Sequence, residues 1–235
     1  HPDDVDFLDD IVPIFKVSSG DLTYLDLITH VAAKNKPVIL STGLGTPDEI
    51  RAAVDTVLAI RPDAIRRGEL ILLHCSAAYP TPAEEANLGN IAWLGETFGV
   101  PVGYSDHTPG IVVAIGAAAL GARVIEKHFT LDKNLSGPDH RASLEPHELE
   151  QMISSVRLVE QAVGDGNKVP HASEMENRPV ARKSLVAAKR IERGEVFSTA
   201  NIAVKRPGSG ISPIGYWDIL GSTSKKSIDV DEFIE

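Results

Sequence analysis

The chain has 235 residues, of which 43% are hydrophobic and 24% are charged, and its formal net charge is -10. This acidic balance argues against a nucleic-acid or an anionic membrane surface as its partner. No stretch approaches the ~20 consecutive apolar residues of a membrane span. The single cysteine, Cys75, excludes an internal disulfide and fits a reducing compartment, so we expect a cytoplasmic location.

A short apolar run, a polar turn and an amphipathic helix recur along the first 164 residues. The runs predict five strands, at 13–18, 37–40, 70–73, 100–104 and 122–125. Strands that alternate with helices indicate a parallel sheet, and polar residues at the strand ends are typical of (β/α)8 barrels. We therefore predict an α/β fold, a TIM barrel with only about the last five βα units present. Because a closed barrel needs eight strands, we expect the chain to be N-terminally truncated.

The character of the sequence changes after the last predicted barrel helix. We assign residues 1–164 to the partial barrel and residues 165–179, which are polar, contain Gly and Pro and lack periodicity, to a linker. Residues 180–235 combine short β-type runs with turn signals and one short helical stretch. They predict a small, mostly β domain near the lower size limit for independent folding.

Two of the predicted strands end in a histidine, His107 and His128. The apolar stretch between them, residues 109–120, is long enough for one crossover helix, so the two strands should be parallel neighbours. The histidines would then project from the same end of adjacent strands, where they could hold a divalent metal facing a cleft. The alternative is two unrelated loop histidines, one of which caps a helix.

A cation and three hydroxyls follow strands of the same sheet, namely Lys16, Ser19, Ser41 and Ser105. Together with turn N–H groups they could bind a phosphate or a carboxylate, since the start of a helix favours anions. Each serine taken alone is more simply a helix cap. It is their convergence on one rim that predicts an anion site.

Four further residues have a chemical and a structural interpretation. Asp139, in a Gly-Pro turn, could bind a sugar hydroxyl or assist proton transfer, or it could be a solvated turn residue. Tyr79 could line the pocket or pack on a rigid loop. His74 is expected to pack within the barrel rather than bind metal. Arg206 could present its guanidinium to an anion, although the pattern alone favours a surface charge.

Eight stretches taken together resemble a known family. In chain order they are FKVSSGD (15–21), PVILSTG (37–43), LLHCSAAYPTP (72–82), GYSDHT (103–108), IEKHFT (125–130), SGPDHRASLEP (136–146), KSLVAAKRIERGE (183–195) and VKRPGSGISP (204–213). They resemble the sialic acid synthases, which condense phosphoenolpyruvate to make nonulosonic acids. The last two stretches resemble the antifreeze-like (SAF) domain that follows the barrel in these enzymes.

The resemblance implies a C–C bond-forming transferase. Phosphoenolpyruvate would condense with N-acetylmannosamine or a related 2-acetamido hexose, giving a nine-carbon 2-keto sugar acid and phosphate. His107 and His128 match the ligands of a divalent metal, usually manganese, with magnesium or cobalt as alternatives. The metal would polarise the sugar aldehyde.

The resemblance also assigns the remaining site residues. Those that match phosphoenolpyruvate-binding positions are Lys16, Ser19, Ser41 and Ser105. Asp21, Asp139 and Tyr79 match positions on the sugar side, and we expect the two aspartates to be catalytic. Arg206 matches an arginine that reaches from the SAF domain of one chain into the barrel of the other in a domain-swapped homodimer, where it contacts the N-acetyl group. This replaces the surface-charge interpretation.

The chain departs from the family pattern in two ways. Ala77 stands where an asparagine often lies near the phosphate, and the segment 137–144 looks closer to legionaminate-type members than to strict sialate synthases. The first three strands of the family barrel also supply a catalytic glutamate and a lysine, so we expect this chain by itself to be inactive. Another metal-dependent phosphoenolpyruvate-using barrel enzyme, or a binding module built on the SAF-like part, remain as alternatives.

Overall fold

Strands and helices alternate through the first part of the chain, as the sequence predicts. A computed structural model describes all residues, 1–235, and the chain divides into two units, His1–Asp165 and Gly166–Glu235. The elements of the first unit are α1 (Pro2–Asp9), β1 (Phe15–Val17), α2 (Leu25–Ala32), β2 (Val38–Ser41), α3 (Pro47–Ile60), β3 (Leu70–Cys75), α4 (Asn90–Phe98), β4 (Val102–Asp106), α5 (Val112–Ala119), β5 (Ile125–Lys127) and α6 (Pro146–Val163).

The five strands form one parallel sheet in the order β1-β2-β3-β4-β5. Each strand lies beside the next strand along the chain, which is the arrangement of a (β/α) barrel wall. The sheet curls as part of such a barrel, so the α/β prediction is confirmed. Even α6, which at 18 residues is the longest helix, lacks the apolar run required to cross a membrane, and so do the other helices.

The two faces of the sheet differ in chemistry because successive side chains of a strand point to opposite sides. One face is apolar and packs against the helices in the main hydrophobic core, with strand residues Phe15, Val17, Val38, Leu40, Leu70, Leu72, Val102 and Tyr104. The other face carries polar residues towards the carboxyl ends of the strands. The sheet therefore contributes to the core with one face and to a site with the other.

Two local features fix the strands and helices in this layout. Thr46 followed three residues later by Glu49 is the sequence pattern of a capping box, and the box is present at the start of α3. Thr46 Oγ1 accepts from the Glu49 amide, while the Glu49 carboxylate accepts from the Thr46 amide. At Gly103 in β4, a β-carbon would lie 2.4 Å from the carbonyl oxygen of Val124. Only glycine therefore allows the chain before β5 to approach β4 this closely.

A buried ion pair joins the ends of β4 and β5. Lys127 Nζ lies 2.8 Å from Asp106 Oδ2, and the two side chains are 2% and 0% exposed. Lys127 also donates to the carbonyl of Thr108, while the other Asp106 oxygen accepts from the amide and hydroxyl of Thr108. The network satisfies both charges, on the opposite side of the strands from the polar face. The sequence analysis did not identify it.

The second unit contains α7 (Ala172–Ala181), β6 (Ser184–Ala187), β7 (Ile202–Lys205) and α8 (Tyr216–Ile219). Strands β6 and β7 are antiparallel, and isolated bridges such as Ile191 with Ile228 extend the pairing. Its small core consists of Leu185, Ala187, Ile191, Phe197, Ile202, Ile228 and Ile234. This is the small, mostly β arrangement that the sequence predicts.

Helix α7 lies largely within the segment 165–179, which we predicted as a polar linker without periodicity. Its residues are exposed, so no apolar periodicity marks the helix in the sequence. The helix begins with a capping box in which the Glu174 carboxylate accepts from the His171 amide at 3.1 Å. Local hydrogen bonding rather than burial therefore sets its start.

We expect Lys127→Met to lower the free energy of unfolding by about 3–5 kcal/mol, because it leaves the Asp106 carboxylate buried without its counter-charge. Arg157→Met is the matched control, since Arg157 and its partner Glu160 are 70% and 48% exposed, and it should cost less than about 1 kcal/mol. Urea unfolding followed by circular dichroism measures both. Equal losses in the two variants would contradict a structural role for the buried pair.

Candidate active site

The polar face of the sheet opens into a pocket at the carboxyl ends of the strands. The pocket has a volume of about 370 Å³. Its lining residues are Lys16, Ser18, Ser19, Gly20, Ser41, Leu44, Cys75, Ala77, Tyr79, Ser105, His107, Glu126 and His128. All four residues predicted for the anion site, both histidines predicted for the metal and Tyr79 are therefore brought together in one cavity.

Strand register explains why residues so distant in sequence meet here. Cys75, Ser105 and Glu126 are directly paired across β3, β4 and β5, so their side chains stand in one row on the same face. His107 and His128 each follow two residues after a member of that row and continue on the same face. The pairing predicted for the strands that end in the histidines is thus observed.

The end of the pocket near β1 and β2 is built for an acceptor-rich ligand. Ser19 Oγ accepts from the Gly43 amide at 3.0 Å. Ser41 is 1% exposed, and its hydroxyl has no hydrogen-bond partner in the protein. A buried hydroxyl without a partner is costly, so the site favours a ligand that accepts from it. With the ammonium of Lys16, these groups can hold an anion.

The two histidines face each other at the other end of the pocket. Their ring centroids are 5.1 Å apart and the rings are nearly perpendicular. His107 is buried, and its Nδ1 lies 2.9 Å from the carbonyl oxygen of Ser76. A carbonyl can only accept, so Nδ1 carries a proton, and in the neutral ring the lone pair is then on Nε2. The ring of Tyr79 lies over both imidazoles, at centroid distances of 4.2 and 5.5 Å.

This histidine pair fits an open metal site. A backbone carbonyl that holds Nδ1–H and leaves Nε2 available is the usual orientation of a metal-binding imidazole. Nowhere in the chain do three or more His, Cys, Asp or Glu side chains gather as a complete metal site. His107 and His128 would thus supply two ligands, and water or substrate oxygens would supply the others.

The structure adds one residue that the sequence analysis did not select, Glu126. Its Oε1 accepts from Ser105 Oγ at 2.7 Å and lies 3.1 Å from Lys16 Nζ. A signal was present in the sequence, because Glu126 is two residues before His128 on the same strand and must share its face.

The hydroxyl of Tyr79 keeps its proton in this pocket. Burial raises the pKa of Tyr79, and the nearby Cys75, Asp139 and Glu126 raise it further through their negative charge when ionised.

The other predicted site residues lie outside the pocket lining. Asp139 is close, with its carboxylate 3.9 Å from His128 Nδ1. The Asp21 carboxylate accepts from Ser18 Oγ at 2.8 Å. Arg206 is exposed in the second unit, where its Nε donates to the Ala181 carbonyl at 3.2 Å. The functional roles assigned to these three residues stay predictions.

His74 directly precedes the pocket residue Cys75 in the sequence, but its side chain points to the opposite face of β3. It is buried, its Nε2–H donates to the Ala86 carbonyl at 2.7 Å, and its ring stacks with that of Tyr104. It therefore packs towards the helices and not inside the barrel layer. Burial lowers the pKa of His74, although the bond to Ala86 opposes that effect.

Comparison with known proteins decides the family. A model of the NeuB family matches residues 1–168, and a model of the SAF domain matches residues 182–235. The chain belongs to the NeuB family. A relative in this group, the N,N'-diacetyllegionaminic acid synthase of Campylobacter jejuni, is 46% identical over 98% of the chain. The human N-acetylneuraminate-9-phosphate synthase is 35% identical, also over 98% of the chain.

A solved structure supports the same assignment. The N-acetylneuraminic acid synthetase of Leptospira borgpetersenii, determined in complex with citrate, is 36% identical and superposes with a TM-score of 0.67 over 74% of this chain and 59% of its own. The present chain spans 68% of the Campylobacter protein and 63% of the human one. The activities of these relatives belong to proteins longer than this NeuB-family chain.

We expect the stability of this chain to depend on pH through His74. The pKa of His74 is lower in the folded state than in the unfolded state. As the pH falls below about 6.5, the unfolded state therefore takes up a proton at His74 before the folded state does, and the free energy of unfolding decreases. In His74→Asn this part of the loss should disappear. Urea unfolding at pH 7.5 and pH 5.5 measures it, with the exposed His147→Asn as the control for one imidazole. An equal pH dependence in wild type and His74→Asn would contradict the assignment.

Proposed function

We propose that this chain forms the phosphoenolpyruvate-binding and aldehyde-activating part of a nonulosonic acid synthase. The reaction would join phosphoenolpyruvate to an N-acetylated hexosamine, giving a nine-carbon 2-keto sugar acid and phosphate. One observation carries the proposal: the predicted anion-binding residues and the histidine pair line the same pocket. An anion site beside a metal-type histidine pair is what a condensation between an anionic enol and an aldehyde requires.

Each group has a defined task in this proposal. Lys16 and the hydroxyls of Ser19, Ser41 and Ser105 would hold the phosphate and carboxylate oxygens of phosphoenolpyruvate. His107 and His128 would hold a divalent metal, manganese by the family pattern, which supplies polarisation of the aldehyde oxygen when it is bound.

The rest of the reaction concerns the sugar. The methylene carbon of phosphoenolpyruvate forms a bond to the aldehyde carbon, water adds to the carbon that bears the phosphate, and phosphate leaves. Asp139, near His128, and Asp21, near Ser18, would bind the sugar and exchange protons with it. The Tyr79 hydroxyl, which keeps its proton, can donate a hydrogen bond to the same substrate.

We infer that the sugar is closer to a diacetylated hexosamine than to N-acetylmannosamine. Identity to the Campylobacter legionaminic acid synthase is 46%, against 35% to the human N-acetylneuraminate-9-phosphate synthase. Rates of phosphate release with each sugar test this inference. Faster turnover of N-acetylmannosamine would favour the sialate-type substrate instead.

The first test of the proposal is phosphate release from phosphoenolpyruvate with Mn²⁺ and a panel of acetylated hexosamines. It is measured on a version of this chain to which the first three βα units of the family barrel are added, because we expect the chain by itself to be inactive. His107→Ala and His128→Ala should each reduce the rate on the order of 100-fold or more, because electrophilic activation by a metal is worth several kcal/mol. Both variants should also weaken Mn²⁺ binding, followed by the electron paramagnetic resonance signal of free Mn²⁺. His147→Ala is the control, and unchanged Mn²⁺ binding in both pocket variants would exclude the histidine pair as the metal site.

A second test concerns Arg206, which we propose acts on the sugar in the pocket of another copy of the chain. Arg206→Ala and Lys16→Met, each made in the version with the added βα units, should each be inactive when assayed separately. When equal amounts of the two variants exchange subunits, about half of the dimers contain one copy of each. Each mixed dimer of this symmetric kind has one intact site out of two, so about one quarter of the wild-type rate should be recovered. No recovery after confirmed exchange would show that Arg206 does not act across chains.

A further inference from the structure

The pocket contains one permanent cation and one carboxylate, and the two are paired with each other. Lys16 is the only Lys or Arg among the lining residues, and Glu126 is the only Asp or Glu. The Glu126 oxygen that lies 3.1 Å from Lys16 Nζ is the same oxygen that accepts from Ser105 Oγ at 2.7 Å. A single carboxylate oxygen thus engages two groups that the proposed function assigns to the substrate.

We propose that Glu126 occupies part of the anion site in the free protein and is displaced when phosphoenolpyruvate binds. This inference rests on the proposed function, because it takes Lys16 and Ser105 as substrate contacts. A carboxylate oxygen and a phosphate oxygen accept from ammonium and hydroxyl groups in the same way. While Glu126 holds Lys16, the pocket has no uncommitted positive side chain to attract an anion.

The exposure of the pair allows this exchange. Lys16 and Glu126 are 35% and 38% exposed, so either side chain can turn into water without leaving a buried charge. The Asp106–Lys127 pair, at 0% and 2% exposed, has no such freedom. The two ion pairs lie at the same end of the sheet but on opposite faces, and only the pair in the pocket is placed to open.

Competition with Glu126 would also make the pocket selective among anions. An anion must compete with a tethered carboxylate for Lys16 and Ser105, so a ligand with a single weak acceptor gains little. Phosphoenolpyruvate carries both a phosphate and a carboxylate, and it can additionally accept from the unpartnered Ser41 hydroxyl. Affinity then depends on contacts that Glu126 does not make.

The contrasting role for Glu126 is to hold Lys16 in position for the substrate. The two roles predict opposite results for the isosteric change Glu126→Gln. If the carboxylate competes with the substrate, its removal tightens binding. If the carboxylate orients Lys16, its removal weakens binding. General damage to the fold would also weaken binding, so tighter binding cannot result from it.

The experiment is a calorimetric titration with phosphoenolpyruvate, and separately with inorganic phosphate, in the absence of sugar. Glu126→Gln should lower the Kd for phosphoenolpyruvate about two- to fivefold, because a factor of this size corresponds to the free energy of a partly exposed ion pair. Glu85→Gln, an exposed residue outside this pocket, controls for the loss of one negative charge and should leave the Kd unchanged. In a Lys16→Met background, Glu126→Gln should have a smaller effect, because the competition acts through Lys16.

The outcomes separate this inference from the proposed function. A Glu126→Gln variant that binds phosphoenolpyruvate as weakly as wild type, or more weakly, overturns the inference and leaves the proposed function in place. If phosphoenolpyruvate binds no variant while inorganic phosphate binds Glu126→Gln more tightly than wild type, the competition stands and the proposed function falls. If neither phosphoenolpyruvate nor inorganic phosphate binds any of the variants, the inference and the proposed function are both overturned.

Discussion

The two-residue period of the parallel strands is the constraint on which this molecule depends. Because alternate side chains point to opposite faces, Phe15, Val17 and the equivalent residues of the other strands pack in the core with the helices. Lys16, Ser41 and Ser105 lie on the opposite face. Parallel strands end at one edge, so the polar residues gather there without any long loop to carry them. A shift of one residue in any strand would exchange a core residue for a pocket residue.

Ion pairs illustrate how the two faces differ in function. On the helix side of β4 and β5, the Asp106–Lys127 pair is buried, and both partners make further hydrogen bonds to Thr108. On the pocket side, Glu126 and Lys16 meet in partial contact with solvent. Burial makes the first pair a fixed connection between neighbouring strands, and the solvent makes the second one exchangeable.

Polar groups in the pocket are satisfied to different degrees, and this pattern is informative. His107 uses Nδ1 on a backbone carbonyl, and Ser19 accepts from a backbone amide, so the fold orients both before any ligand arrives. Ser41 alone has a buried hydroxyl without a partner. The second unit, by contrast, has its own small core and antiparallel pairing, and it offers exposed groups such as Arg206.

The order of residues alone predicts the alternation of strands and helices, the parallel pairing of the strands that end in His107 and His128, and the capping box of α3. These features depend on local spacing and local hydrogen bonding, which can be read from the order of residues. It missed helix α7, because an exposed helix leaves no apolar period. Three features are visible only in the folded chain: Glu126 contacts Lys16, Lys127 is buried against Asp106, and His74 faces the helices. Each of these depends on which partner lies across the sheet, and strand register, rather than sequence distance, brings the partners together.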